Sequence, residues 1–142
     1  AVVHGVPNGD SGTIVGAVGR HPVDRKKYAV VSDASGRYAR THWTLVERFG
    51  DYSLLRFKLD TGRTHQIRVH CAHINHPVVG DPTYSRCRKL PVDLPGQALH
   101  AVQLGLDHPI TGERMVFDAP LPPVMEKLLL VLRRRSGAPS VG

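Results

Sequence analysis

The sequence predicts an α+β domain with a mixed, mainly antiparallel sheet and a few helices. Residues 1–59 contain short apolar or alternating runs separated by turn residues, as expected of strands joined by tight turns. Beyond residue 60 the apolar spacing changes to three and four residues, which is the spacing of one face of a helix. A second helical pattern near the C-terminus is placed to pack on the sheet.

The first half of the chain supplies the predicted strands. They are residues 1–4, 13–18, 28–32, 40–49 and 52–59. Within residues 40–49 the side chains alternate, so that Trp43 points to one face and Thr44 to the other. Because only the turn residues 50–51 separate the last two runs, we expect these strands to form a β-hairpin.

The first helix follows this hairpin. Ile67, Cys71 and Ile74 are spaced by four and three residues, and Thr61 or Thr64 is expected to cap the helix. Farther along, residues 86–97 are predicted as a loop and residues 99–106 and 114–117 as strands. The last predicted element is a helix over residues 122–133, docked through its apolar residues Val124, Leu128, Leu129, Val131 and Leu132. Residues 135–142 are predicted to be a disordered tail.

The charge balance points to a polyanionic partner. The 142 residues include 19 Lys and Arg against 12 Asp and Glu, a net charge of +7. Nucleic acid is the commonest partner of such a chain, although a solvated basic surface explains the charge equally well. No apolar run approaches the roughly 20 residues that span a membrane. Cys71 and Cys87 form no metal-type pair, and we expect two thiols rather than a disulfide.

The segment Thr61-Gly62-Arg63-Thr64-His65-Gln66-Ile67-Arg68-Val69-His70 carries the strongest functional signal. It places a turn between a strand and a helix, where free backbone N–H groups and the helix dipole attract anions. Arg63 and Arg68 add guanidinium groups, which suit phosphate or carboxylate. An arginine here would also hold a buried carboxylate ionised. The segment itself contains no obvious nucleophile.

This segment, together with residues 76–85 (HPVVGDPTYS), closely resembles the signature of the RluA/RluC/RluD-type RNA pseudouridine synthases. Further matches occur in the same order along the chain, at residues 3–5 (VHG), 39–46 (ARTHWTLV), 99–101 (LHA) and 117–120 (FDAP). The resemblance covers residues 1 to about 133. It implies that residues 1–134 are the C-terminal portion of a pseudouridine synthase catalytic domain.

Members of that family detach the uracil of a uridine in RNA, turn it and rejoin it through carbon 5. The resemblance therefore implies an isomerase that acts mainly on large-subunit ribosomal RNA in the cytoplasm, with no metal or cofactor. The family's catalytic aspartate lies in an H-R-L-D motif, which this sequence does not contain. We expect that motif upstream of Ala1, and we expect the chain to be an inactive fragment when isolated.

The resemblance also assigns roles to single residues. Arg68 matches the arginine that pairs with the catalytic aspartate and keeps it charged. Arg63, His65, Gln66 and Ile67 are implied to bind the substrate. For the first three, bracing the turn through hydrogen bonds is an equally good interpretation, and Ile67 would also serve as a core residue.

Asp81 and Tyr84, in the G-D-x-x-Y element, are expected to have structural roles. Basic residues outside the signature are candidate contacts to RNA phosphates. They are Arg20, Arg25, Lys26, Lys27, Arg37 and Arg40.

Two rival functions remain open from the sequence. His65, His70, His73 and His76 crowd one segment, and zinc sites use such spacings, but no H-E-x-x-H motif accompanies them. A non-catalytic RNA-binding module would also explain the basic charge and the missing nucleophile.

Overall fold

The computed structural model describes residues 1–86, 90–101, 103–107, 110–111 and 114–135. The strands in this part of the chain are β1 (Val2–His4), β2 (Ser11–Val15), β3 (Ala17–Arg20), β4 (Tyr28–Val31), β5 (Arg40–Arg48), β6 (Tyr52–Leu59), β7 (Gln103–Asp107) and β8 (Arg114–Asp118). The helices are α1 (Gln66–His73) and α2 (Pro123–Arg135). Cys87 and residues 136–142, for which a thiol and a disordered tail were predicted, lie outside the described residues.

The described strands pair in three antiparallel sheets. One sheet has the order β1-β6-β5-β2, while β3 pairs with β4 and β7 pairs with β8. Two helices, α1 and α2, complete the described elements of the fold. The predicted α+β class with a mainly antiparallel sheet is therefore confirmed.

The β5–β6 hairpin is the longest pairing and confirms the predicted turn. Trp43 lies opposite Phe57, and a bulge interrupts the register between Leu45 and Glu47. At the turn, Gly50 has a φ of 77°, a left-handed conformation that glycine adopts without the steric cost of a Cβ. The two strands form the centre of the four-stranded sheet.

The single strand predicted over residues 13–18 is wrong, because the chain changes sheets at Gly16. The preceding strand β2 pairs with β5, whereas the following strand β3 pairs with β4. At the junction, the N–H of Gly16 donates to the carbonyl of Ala39. A Cβ on Gly16 would lie 2.8 Å from a methyl carbon of Val30, so the close approach requires glycine.

Three other predictions need correction. The strand predicted from residue 99 begins only at Gln103, and residues 99–101 belong to no strand. The helix α1 has His65 at its N-cap position, and no side chain caps it, so neither Thr61 nor Thr64 plays that part. The helix predicted over residues 122–133 instead spans Pro123–Arg135.

The helix α2 closes the main hydrophobic core. Leu128 and Leu132 are almost completely buried and belong to the same cluster as Val2 and Leu55 of the four-stranded sheet. Met125, which the sequence analysis did not select, is also buried. The predicted Val124 and Val131 are only half-buried. An ion pair of 2.9 Å between Arg133 and Glu47 links the end of α2 to β5.

Among the described residues, no helix is long and apolar enough to cross a membrane. Cys71 is a free thiol in the core, where burial raises its pKa to about 12. A thiol with so high a pKa stays protonated near neutral pH and acts as a small apolar side chain.

Docking of α2 can be tested with two leucines of the same helix. Leu128→Ala should lower the free energy of unfolding by about 2–5 kcal/mol, because it removes a fully buried side chain and leaves a cavity. Leu130→Ala is the matched control, since Leu130 is 42% exposed, and should change it by less than about 0.5 kcal/mol. Urea denaturation followed by circular dichroism measures both values. Equal losses in the two variants would contradict the burial of Leu128 between α2 and the sheet.

Candidate active site

The turn before α1 is fixed by the buried side chain of Gln66. Its carbonyl oxygen accepts hydrogen bonds from the Thr61 hydroxyl at 2.8 Å and from the Arg63 backbone N–H at 3.0 Å. Its amide nitrogen donates to the Arg40 carbonyl at 3.1 Å and to the Thr41 hydroxyl at 2.9 Å. All four hydrogen-bonding capacities of the amide are thus used within the protein. The geometry favours the bracing role for Gln66 over contact with a ligand.

A chain of hydrogen bonds continues from Gln66 into the core. The His70 side chain is fully buried, with Nε2 2.9 Å from the Gly16 carbonyl and Nδ1 2.8 Å from the Thr41 hydroxyl. Because a carbonyl only accepts, Nε2 carries the proton and Nδ1 accepts from Thr41. Thr41 in turn accepts from Gln66, so every bond in the chain has one donor and one acceptor. Burial lowers the pKa of His70, which keeps its ring neutral.

Arg68 is the charged centre of the site and makes a two-pronged ion pair with Asp81. Its Nε lies 2.8 Å from Asp81 Oδ2 and its Nη2 lies 2.9 Å from Asp81 Oδ1. The Arg68 side chain is 12% exposed and that of Asp81 is fully buried. The third nitrogen of Arg68, Nη1, has no hydrogen-bond partner among the residues that the structure describes.

Asp81 stays ionised in spite of its burial. Burial alone would raise the pKa of its carboxyl group, but hydrogen bonds from Arg68 and from the backbone N–H groups of Thr83 and Tyr84 outweigh this effect. The pKa of Asp81 therefore lies below its usual value. Asp81 also raises the pKa of Arg68 through the same hydrogen bonds, so both groups are charged near neutral pH and the two hydrogen bonds fix the orientation of the guanidinium.

An aromatic layer lies beside this ion pair. The guanidinium carbon of Arg68 is 5.1 Å from the centre of the Tyr84 ring. The Tyr84 hydroxyl accepts from the Tyr28 backbone N–H at 3.1 Å and lies 2.8 Å from His65 Nδ1. Partial burial and the nearby Arg68 charge lower the pKa of His65, so its ring is neutral near pH 7. His65 also has a φ of 53°, a left-handed conformation that is uncommon for a residue with a side chain.

The remaining candidates lie on either side of His65. Arg63 is half-buried, and its Nε donates to the Tyr38 carbonyl at 2.8 Å, while its two terminal nitrogens have no hydrogen-bond partner among the described residues. Ile67 is half-buried and packs against the main core. The structure thus places Arg63, His65 and Arg68 at the N-terminal end of α1, where the Gln66 side chain is buried.

Of the four histidines predicted as alternative metal ligands, His65, His70 and His76 hydrogen-bond to other groups, and His73 is exposed. His70 belongs to the buried chain described above, and His76 Nδ1 lies 2.9 Å from the His4 carbonyl. Within the described ranges, no group of three or more His, Cys, Asp or Glu side chains is placed to bind a metal ion.

Two features of the site were not foreseen from the sequence. The direct ion pair between Arg68 and Asp81 joins residues 13 positions apart, and no periodicity relates α1 to the turn that holds Asp81. The hydrogen-bond chain from Gln66 through Thr41 to His70 requires β5, which holds Thr41, to lie beside α1. Local sequence patterns do not show which strand lies beside a helix. Only the G-D-x-x-Y spacing gave a signal, and it indicated a structural role without naming the partner.

Comparisons with known proteins agree on one family. The sequence model described as RNA pseudouridylate synthase matches residues 1–73. An uncharacterized RNA pseudouridine synthase of Synechocystis is 52% identical over 94% of this chain and 41% of its own length. Ribosomal large subunit pseudouridine synthase D of Pseudomonas aeruginosa is 48% identical over 94% of this chain and 44% of its own. The chain thus spans about two fifths of these relatives.

Two solved structures share the fold. Human RNA Pseudouridylate Synthase Domain Containing 1 superposes with a TM-score of 0.69 at 26% identity, covering 94% of this chain and 63% of that protein. Human RNA Pseudouridylate Synthase Domain Containing 4 gives a TM-score of 0.73 at 23% identity, covering 94% of this chain and 60% of that protein, and supports the fold alone.

The buried neutral histidine makes stability depend on pH. The unfolded chain binds a proton on His70 near pH 6.5, whereas the lowered pKa in the folded state excludes it. Lowering the pH from 7.5 to 5.5 should therefore reduce the free energy of unfolding, by at most about 1.4 kcal/mol per pH unit for each excluded proton. His4 and His65, whose pKa values are also lowered, contribute in the same direction.

Urea midpoints across this pH range measure the effect. His70→Gln should be less stable at pH 7.5 and should show a shallower pH dependence than the unmodified protein. His73→Gln, on the exposed face of the same helix, is the control. Stability that rises toward pH 5.5 would contradict the assignment of a neutral His70.

Proposed function

The chain belongs to the RNA pseudouridylate synthase family, and on that premise we propose that the protein isomerises uridine in RNA to pseudouridine. The resemblance in the sequence had predicted this family. Because the chain spans about two fifths of its curated relatives, the activity is proposed for the whole protein of which these residues form part. The isolated chain, which lacks an H-R-L-D motif, is expected to be inactive.

The observation that carries the proposal is the orientation of Arg68. Asp81 engages two of its three guanidinium nitrogens, and the third has no partner among the described residues. We propose that this third nitrogen donates to the family's catalytic aspartate, whose H-R-L-D motif these residues do not contain. A fixed guanidinium holds that carboxylate ionised and positioned at neutral pH, as a nucleophile requires. Asp81 acts through Arg68 and is a positioning residue.

The neighbouring residues support substrate binding in different ways. Arg63 contacts RNA through its terminal nitrogens, since Nε is already bonded to the Tyr38 carbonyl. His65 presents a neutral ring beside Tyr84, and Ile67 forms part of the wall behind the base. Gln66 contributes indirectly, because its hydrogen bonds hold the turn in which Arg63 lies.

The proposed substrate is large-subunit ribosomal RNA, and the proposed location is the cytoplasm. Relatives in Pseudomonas aeruginosa and Nitrosomonas europaea are named ribosomal large subunit pseudouridine synthase D. The target uridine has to leave its stack before its glycosidic bond is accessible, as enzymes that act on bases require. The reaction needs no metal or cofactor in this proposal.

A non-catalytic RNA-binding module is the second candidate. The net charge of +7 favours it, as does the lack of a nucleophile in the signature segment. The two candidates differ in one outcome: a binding module retains RNA without converting any uridine.

The role of Arg68 can be tested in the full-length protein. Arg68→Ala should lower the rate of uridine conversion by about 100-fold or more, because the catalytic carboxylate loses its fixed donor. Arg68→Lys keeps a charge near Asp81 but cannot make the two-pronged pair, and it should also be strongly impaired. Conversion is followed by mass spectrometry of digested ribosomal RNA under single-turnover conditions.

Arg48→Ala is the matched control. Among the residues that the structure describes, Arg48 pairs only with Asp10, which is 90% exposed, so its loss should leave conversion unchanged. Thermal unfolding of each variant separates loss of activity from loss of folding. Near-normal conversion by folded Arg68→Ala would contradict the role given to Arg68, and no conversion by the unmodified protein would favour the binding module.

A further inference from the structure

An open groove of about 500 Å³ lies beside the turn that precedes α1. One wall is formed by β3 and the start of β4, another by the loop over residues 34–37, and the third by residues 62–64 of the signature segment. The described residues that line it include three arginines and no Asp or Glu: Val18, Gly19, Arg20, Tyr28, Ala34, Ser35, Gly36, Arg37, Gly62, Arg63 and Thr64.

The three arginines of the groove have no carboxylate partner within the described part of the chain, unlike Arg40 and Arg68. Neither Arg20, Arg37 nor Arg63 forms an ion pair with a carboxylate among the described residues. By contrast, Arg40 is paired with Asp60 and Arg68 with Asp81. Because three positive charges converge without a compensating carboxylate, the groove attracts anions.

Two of these guanidinium groups are held in place by contacts that leave most of their N–H donors free. The guanidinium carbon of Arg20 lies 4.7 Å above the Tyr28 ring, and its Nη1 donates to the Arg25 carbonyl at 3.2 Å. Arg63 is held through Nε by the Tyr38 carbonyl at 2.8 Å. A guanidinium has five N–H donors, so each keeps at least three for a ligand. Such partial immobilisation reduces the entropic cost of binding an anion.

A run of side-chain contacts joins the groove to Arg68. Tyr28, which lines the groove, lies with its ring centre 5.5 Å from that of His65. The His65 ring lies 5.7 Å from that of Tyr84, and the guanidinium of Arg68 is 5.1 Å from the Tyr84 ring. The groove and the candidate catalytic arginine are thus separated by one aromatic layer.

We propose that this groove binds the sugar–phosphate backbone of RNA next to the nucleotide that is modified. Guanidinium groups match phosphate geometry, and contacts to phosphates fix the position of a nucleic acid without reading its sequence. Three arginines around a groove of about 500 Å³ suit a ligand that carries several negative charges, such as the phosphates of one strand. Naming RNA as the polyanion rests on the proposed function.

The test compares two double variants of the full-length protein. Arg20→Gln/Arg37→Gln removes two charges from the groove, while Arg63 is left intact because its side chain also donates to the Tyr38 carbonyl. The control, Arg56→Gln/Arg134→Gln, removes two exposed charges that do not line the groove. Binding to a ribosomal RNA fragment is measured by fluorescence anisotropy between 50 and 300 mM salt.

The groove variant should bind RNA less tightly than the control, by up to about five-fold for each arginine. The slope of log affinity against log salt should fall by about 0.7–0.9 for each phosphate that the variant no longer neutralises. Conversion assays should show a raised KM with little change in kcat, because the arginines position the strand and touch no reacting atom. Arg20→Lys/Arg37→Lys should restore most of the salt dependence.

Equal affinity and equal salt slope in the groove and control variants would overturn the proposal. Weaker binding with an unchanged salt slope would also overturn it, because the weakening would then arise from altered folding rather than from fewer neutralised phosphates. The proposed function fails separately. If the unmodified protein converts no uridine but the groove variants still lose salt-dependent RNA binding, the groove stands and the isomerase assignment does not.

Discussion

The buried hydrogen-bond chain from Gly16 through His70, Thr41 and Gln66 to the turn at Arg63 is the interaction on which the site depends. It joins the junction between two sheets, the strand β5, the helix α1 and the signature turn. Each member has its donors and acceptors matched, and such buried networks specify one arrangement because any unpaired group is costly. The position of Arg63 follows from this buried scaffold, because its backbone N–H donates to Gln66.

Charge is distributed around this scaffold in two ways. The charge of Arg68 is neutralised by the buried Asp81. Its Nη1 has no partner among the described residues and suits one hydrogen bond in a fixed direction. The arginines of the groove lack carboxylate partners among the described residues and suit a ligand that brings its own negative charges. The aromatic layer of Tyr28, His65 and Tyr84 lies between the two regions and connects them through ring contacts.

Local sequence patterns predicted most of the elements and failed where the reason was not local. The hairpin β5–β6 and both helices were found because their periods and turn residues are local signals. Residues 13–18 were predicted as one strand because their apolar pattern is continuous, yet the chain changes sheets where Gly16 approaches Val30. The cap of α1 was misassigned because Thr61 bonds to Gln66 instead of to the backbone of the helix.

The sequence by itself determined the family, the α+β class and the segment in which the candidate site lies, because these depend on ordered motifs and on local periodicity. The roles of Arg68, Arg63, His65, Gln66 and Ile67 were predictions from resemblance, and they remain predictions. Only the tertiary structure decided that Asp81 is the partner of Arg68 and that Gln66 is fully engaged within the protein. It alone brought Arg20, Arg37 and Arg63 around one groove, because contacts between residues far apart in the chain depend on how sheets and turns pack.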